Sequence, residues 1–195
     1  MNGSGPCPAA RMGAVAERRP VFTIGHSTHA IQAFIALLER HRVELVADVR
    51  RFPASRRHPQ FGADALRRSL ADAGIDYMSL GEELGGRRRA RPDSDNAGWR
   101  SGQFRGYADH MASDEFAQGL VGLEAAAAAR PVAIMCAEAT WRRCHRQLIA
   151  DALVAHGWRV LHIGRDGRLE PHELTSFAAI EEGSVSYPGP RTLLD

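Results

Sequence analysis

The stretch MCAEATWRRCHRQL, residues 135–148, gathers two cysteines, a glutamate, a histidine and three arginines into one short segment. Cys136 ends an apolar run, and Arg142 follows at a Cys-x5-Arg spacing. A thiol at a strand-to-helix turn can use that spacing to cradle an oxyanion. Backbone N–H groups and the arginine hold the charge, and the helix N-terminus lowers the thiol pKa. Against this, the loop Ala137-Glu138-Ala139-Thr140-Trp141 has no glycine, and Glu138 sets a negative charge where a dianion would sit. Cys136 reads equally as a small buried residue closing a strand. Cys144, His145 and Arg146 then open a helix, which makes Cys144 a candidate low-pKa thiol. His145 shares a helical face with Leu148, Ile149 and Ala152 and points toward the sheet, where a hydrogen-bonded structural histidine is the commoner role. Cys136, Glu138, Cys144 and His145, joined by His26 or Asp48, are also the residue types of a metal site. Their spacing matches no standard zinc pattern, so no metal ligand is assigned and the cofactor stays open.

Other reactive types recur at the ends of apolar runs. His26 and Ser27 follow one run, and Asp48 and Arg50 close another, two residues apart and so on one side of a strand. Arg50, Arg51, Arg56 and Arg57, with Ser55, make a dense cationic loop, and Arg87, Arg88, Arg89 and Arg91 a second one. Charge runs are commonly solvated faces, but these adjoin the thiols and acids. An anionic small molecule or nucleotide bearing phosphate is therefore the expected partner, with Arg50, Arg56 and Arg146 as its holders and Ser27 and Ser55 beside them. His26 and His145 are candidate acid–base groups, Glu138 or Asp48 would orient one of them, and Cys136 or Cys144 is the candidate nucleophile. A nucleic-acid-binding module, with Trp99 and Phe104 stacking on bases, is the competing reading. A metal-dependent hydrolase or metal sensor is a third, and a wholly structural polar network a fourth.

The elements that must position these residues alternate. VFTIGHS (21–27), ELVADVR (44–50), IDYMSLG (75–81), PVAIMCAE (131–138) and WRVLHIG (158–164) read as five strands. Between them lie helical patterns: Ile31, Phe34, Ile35 and Leu38; residues 62–74, stopped by Gly74; and Phe116, Leu120 and Leu123, capped by Ser113. Leu148, Ile149, Ala152 and Leu153 mark the last helix, which ends near Gly157. This order predicts an α/β single domain, a largely parallel five-stranded sheet with helices on both faces. In such sheets ligands bind at the strands' carboxyl ends, where every candidate above falls. Residues 1–19 are expected to be a flexible tail, 20–180 the domain, and 181–195 a C-terminal tail. Within the domain, 82–105 is rich in Arg and Gly and is expected to be a long loop or flap.

Bulk properties exclude several classes. The chain has 195 residues, 44% hydrophobic and 25% charged, with a net charge of +2, which suits one globular domain. All 25 of its basic residues are arginine, so lysine Schiff-base chemistry is impossible. Three cysteines in no regular framework do not suggest a secreted disulfide scaffold, and no apolar run is long enough to span a membrane. The expectation is a cytoplasmic protein of undetermined oligomeric state.

FTIGHS (22–27), ADVRRFPASRRHPQF (47–61), LGEELGG (80–86), FRGYADHM (104–111), MCAEATWRRCHRQLIADAL (135–153) and VLHIG (160–164) resemble the DUF488 family, a bacterial and archaeal group, in that family's order. The resemblance implies that His26, Ser27, Asp48, Arg50, Pro53, Ser55, Cys136, Glu138, Cys144, His145 and Arg146 are the recurring polar positions. It also implies that Arg142 lies in a variable part, which counts against the Cys-x5-Arg reading.

Overall fold

A computed structural model of the chain describes residues 19–54 and 57–190. Five strands form its parallel core: β1 (Val21–Gly25), β2 (Leu45–Asp48), β3 (Asp76–Ser79), β4 (Val132–Cys136) and β5 (Val160–Ile163). A sixth strand, β6 (Leu169–Pro171), adds antiparallel to β5, so the sheet has six strands in the order β3-β2-β4-β1-β5-β6. The expected count of five missed β6 because it is short and exposed along its length, with no apolar run to announce it. β1, β2 and β4 are buried at every residue, as central strands covered on both faces must be.

Helices α1 (Ile31–Arg40) and α2 (Ala63–Asp72) pack Phe34, Leu38, Leu66 and Leu70 against Phe22, Ile24, Val46 and Met135 on one face. Helices α3 (Gly102–Met111), α4 (Asp114–Ala129) and α5 (Arg146–Ala155) cover the other, where Tyr107, Leu123, Leu148 and Ile149 meet Leu45, Ala47 and Ile134. Ser113 caps α4, its side chain accepting from the Phe116 N–H. α5 is followed by Gly157 at φ 79°, the left-handed position that ends a helix most cheaply with glycine.

This layering fixes the location of the site. The connections leaving β1 and β2 run to the α1/α2 face, whereas the one leaving β4 runs to the α5 face. β4 lies between β2 and β1, so its carboxyl end is a topological switch point with a crevice above it.

Two expected boundaries move. The segment 82–105 is a long loop as far as Ser101, where α3 follows from Gly102, and it is packed down by Leu84, which is fully buried in the core. The region beyond 180 holds β8 (Ser184–Ser186), paired with β7 (Ala179–Glu181) through a turn in which Glu182 and Gly183 both have positive φ. Tyr187, just after it, is fully buried. The expected N-terminal tail falls outside the described residues except for Arg19. Among those described, no helix is long and apolar enough to cross a membrane.

Candidate functional site

The sequence-predicted residues reach the carboxyl edge but separate onto the two faces of the sheet. Parallel pairing sets Gly25 opposite Cys136 and Asp48 opposite Met135. Alternation therefore sends Asp48, Arg50 and His26 to the α1/α2 side and Cys136 to the α5 side.

On the α1/α2 side the groups hold one another. Arg50 forks onto Asp48, with Nε to Oδ1 at 2.8 Å and Nη2 to Oδ2 at 2.6 Å. Its Nη1 donates to the Phe61 carbonyl at 2.8 Å and lies 3.3 Å from His26 Nε2. The Tyr77 hydroxyl donates to Asp48 at 2.8 Å, and burial together with that carboxylate pushes the phenol up to about 12. His26 stacks on Phe61 at 4.3 Å and donates from Nδ1 to the Ser27 carbonyl. Burial, reinforced by Arg50, lowers its pKa to about 4, so the ring is neutral. Ser27 sits in the left-handed region at φ 44°, its N–H bonded to the Ala137 carbonyl. Most of the Arg50 N–H groups are thus spent on Asp48 and the Phe61 carbonyl, although the residue also lines the cavity on the other side. Ser55 and Arg56 lie outside the described residues.

On the α5 side a cavity of about 320 Å³ opens above β4, within the range of small-molecule sites. Cys136, Cys144 and His145 lie at its base, and Glu138, Tyr107 and Gly86 line it. The two sulfurs are 2.7 Å apart, and both cysteines are free thiols. His145 Nε2 donates to the Val49 carbonyl at 2.9 Å, which leaves Nδ1 as an acceptor 3.6 Å from the Cys144 sulfur. Burial lowers the His145 pKa and keeps the ring neutral. The orienting partner is thus a main-chain carbonyl, not the carboxylate of Glu138 or Asp48 expected from sequence. Glu138 is exposed, and its N–H donates to the Cys136 sulfur at 3.3 Å.

Arg146 explains which thiol ionises. It is 1% exposed and donates to the Thr23 hydroxyl and, at 2.6 Å, to the Glu138 carbonyl. Among the described residues it forms no ion pair with a carboxylate, and the anionic groups acting on it are the two sulfurs. A buried cation without a counter-charge is strongly disfavoured, so a thiolate beside it is the stable arrangement. Burial pushes the Cys144 thiol up, but the Cys136 hydrogen bond and Arg146 outweigh it and bring the pKa from 9.0 to about 7. Burial and the bond to Cys144 hold Cys136 well above the usual range, so it is the protonated partner. Arg146 is therefore a counter-charge behind the thiols, not a ligand holder at the cavity wall. Gly25 is required here, because a Cβ on it would overlap the Glu138 carbonyl oxygen.

The arginines lining the cavity are Arg50, which is paired with Asp48, and Arg51, Arg87 and Arg143, against one carboxylate, Glu138. No hydrogen bond or ion pair engages the side chains of Arg51, Arg87 or Arg143 among the described residues, although Arg87 also lies 6.0 Å over the Phe52 ring. The segment carrying Gly86 and Arg87 is pinned by Tyr107, whose hydroxyl donates to the Leu84 carbonyl, and by His110, which donates to the Glu83 carbonyl. Asp109 ties down the rest, accepting from Arg91 N–H, Ser94 and Asn96. Trp99, expected to offer a stacking face, is enclosed by Phe104, Phe177 and Tyr187. Cys136, Cys144 and His145 bring ligand atoms within 4.8 Å of one another, and Glu138 does not join them.

A family model described as Domain of unknown function DUF488 matches residues 30–153. The chain belongs to the DUF488 family. No curated protein and no solved structure matches it. The DUF488 match contains every cavity-lining residue, from Arg50 to His145, together with Arg146.

Outside the DUF488 match, except for Asp151, lies a buried chain of hydrogen bonds that sequence reading missed. The Thr23 hydroxyl meets His162 Nδ1 at 2.7 Å, His162 Nε2 meets His172 Nδ1 at 3.0 Å, and His172 Nε2 donates to Asp151 at 2.9 Å. With Asp151 as the final acceptor, both rings carry their proton on Nε2 and the whole series runs one way from Arg146. Burial, with His172 and Arg146 nearby, lowers the His162 pKa to about 2. Asp151 also accepts from Thr175 and Tyr187, which anchors the C-terminal segment beneath α5. The signal was present: His162 interrupts an apolar strand and Asp151 an apolar helix face.

Proposed function

We propose that the cavity above β4 is an enzyme site for an anionic, phosphate-bearing small molecule, with Cys144 as nucleophile. The observation that carries the reading is one arrangement: a thiol beside a neutral imidazole acceptor and a buried guanidinium, at the base of a cavity whose wall holds three arginines without ion-pair partners among the described residues. His145 Nδ1 accepts the thiol proton, and the Val49 carbonyl fixes its tautomer, which is the nucleophile–base–orienter logic of thiol catalysis. Arg51, Arg87 and Arg143 hold the anion near the sulfur. The enclosure of Trp99 weighs against the nucleic-acid reading, which needs an open ring face.

The test is binding of inorganic phosphate and of aryl phosphates by calorimetry to the wild type and to R87A/R143A. Affinity is expected to fall at least tenfold in the double variant, and unchanged affinity would remove the anion assignment. A second reading, a metal-dependent hydrolase or sensor, is favoured by the three clustered ligand atoms. The sulfur separation weighs against it, since two thiolates at about 2.3 Å from one zinc ion stand roughly 3.7 Å apart. Metal content of reduced, tag-free protein decides between the two.

A further inference from the structure

Cys136 ends β4 and Cys144 precedes α5, and between them the chain makes one tight turn that returns the second sulfur to 2.7 Å from the first. That is nearer to a disulfide, about 2.05 Å, than to the spacing of two thiolates sharing a metal. Both cysteines border the cavity, so a small oxidant entering it meets the pair directly. The two sulfurs are not equivalent. Cys144 accepts the Arg146 N–H at 3.5 Å and has the His145 imidazole 3.6 Å away, whereas Cys136 accepts the Glu138 N–H at 3.3 Å. His145 Nδ1 lies 3.6 Å from the Cys144 sulfur, and the ligand atoms of His145 and both cysteines fall within 4.8 Å of one another, so the ring reaches Cys144 directly and Cys136 through Cys144 or one water.

We infer that Cys144 and Cys136 are a redox pair that reduces a hydroperoxide, Cys144 as the attacking thiolate and Cys136 as the resolving thiol. The inference rests on Cys144 being the reactive thiol of the cavity. The Cys144 sulfur, its proton passed to His145, attacks the terminal peroxide oxygen; an S–O bond forms, the O–O bond breaks, and the alkoxide leaves as the alcohol with that proton from His145, which returns to the neutral ring. Cys144 is then a sulfenic acid. Cys136 gives its proton to His145 and attacks the Cys144 sulfur; the S–S bond forms, and the hydroxide leaves as water with the proton from His145. Two electrons pass from the two sulfurs to the peroxide, and an external dithiol restores the pair by exchange. Oxidation also removes the negative charge beside Arg146 and leaves a buried cation uncompensated. The dithiol state is thereby favoured, and the disulfide reopens easily.

The experiment uses the full chain, reduced, with and without chelator. Iodoacetamide alkylation is followed against pH, and peptide masses are read after equimolar hydrogen peroxide. The expected result is a Cys136–Cys144 peptide pair lighter by two hydrogen atoms, reopened by dithiothreitol, with Cys7 still free. In C136S the expected product is a Cys144 sulfenic acid trapped by a 1,3-dione. If Cys144 alkylates as a low-pKa thiol but peroxide leaves both thiols free, or takes Cys144 on to sulfinic acid, the pairing is overturned and the nucleophile reading stands. If Cys144 alkylates no faster than Cys7, both fall together. If the thiols react only after chelation, the pair is a ligand set and the inference is overturned.

Discussion

Replacing Arg146 with Met removes the buried cation beside Cys144 while keeping much of its volume. In the wild type the Cys144 pKa is brought from 9.0 to about 7, so about half of the thiol is ionised at pH 7. Burial acts in the opposite direction and only the Cys136 hydrogen bond and the main-chain N–H of residue 146 still oppose it, so without the guanidinium the pKa rises back toward 9.0. A full return would cut the ionised fraction at pH 7 to about 1%, so alkylation is expected to slow by several-fold and by at most roughly 50-fold. Stability carries the same signature. A thiol with a folded pKa below its unfolded value contributes stability that is present above pH 9 and is lost as pH falls through 7. Wild-type stability is therefore expected to rise by about 3 kcal/mol between those limits, and the slope should shrink in R146M, where only those hydrogen bonds still lower the pKa. The assay is stopped-flow alkylation with peptide-level readout across pH 5–10, alongside urea unfolding at each pH. R146K, which keeps the charge, should hold its midpoint below 8. A folded R146M whose alkylation midpoint stays near 7 would refute the assignment of Arg146 as counter-charge.

R50M strands the buried Asp48 without its cation and should cost about 3–5 kcal/mol in urea unfolding; a loss below 1 would show that the pair is unimportant. G86A sets a Cβ 2.9 Å from His145 Nδ1, so it should slow Cys144 alkylation several-fold at pH 7 while thermal unfolding changes little. His26 and His162 are held neutral to about 4 and about 2, whereas their unfolded counterparts take up protons below 6.5. The unfolded state then binds more protons, so stability should fall steadily as pH drops from 6.5 toward 4. A flat urea midpoint over that window would contradict their burial as neutral rings.

Much of the frame was legible because its strands are buried on both faces and therefore read as unbroken apolar runs. That reading placed His26, Asp48, Cys136 and Cys144 at one edge. It could not separate them by face, since the face of Cys136 depends on its register against Gly25, and register is a property of pairing rather than of any single segment. α3 was hidden because Gly106 and the polar start of the helix dilute its period; the glycine is needed where the 88–90 backbone passes close by. The hydrogen bonding of Arg50 and Arg146 was not legible for a shared reason. Sequence shows an arginine but not which acceptors consume its N–H groups, and here Asp48, Phe61, Thr23 and Glu138 take them. The arginines left facing the cavity, Arg51 and Arg87, had been read only as parts of charge runs, and Arg143 had not been singled out.

The partner that aims His145 is the peptide carbonyl of Val49. No side-chain replacement at position 49 can delete it. Substitution scanning will record Val49 as a tolerant packing position, sensitive to size and indifferent to polarity, although its oxygen sets the tautomer of the base. The dependence surfaces only when the main chain itself shifts, as a proline at 50 would cause by removing the N–H that ties this strand end to Asp48. Lineages can therefore drift at residue 49 without touching the chemistry. The geometry of the base is inherited through the backbone path of β2, encoded by the strand as a whole and not by any one codon.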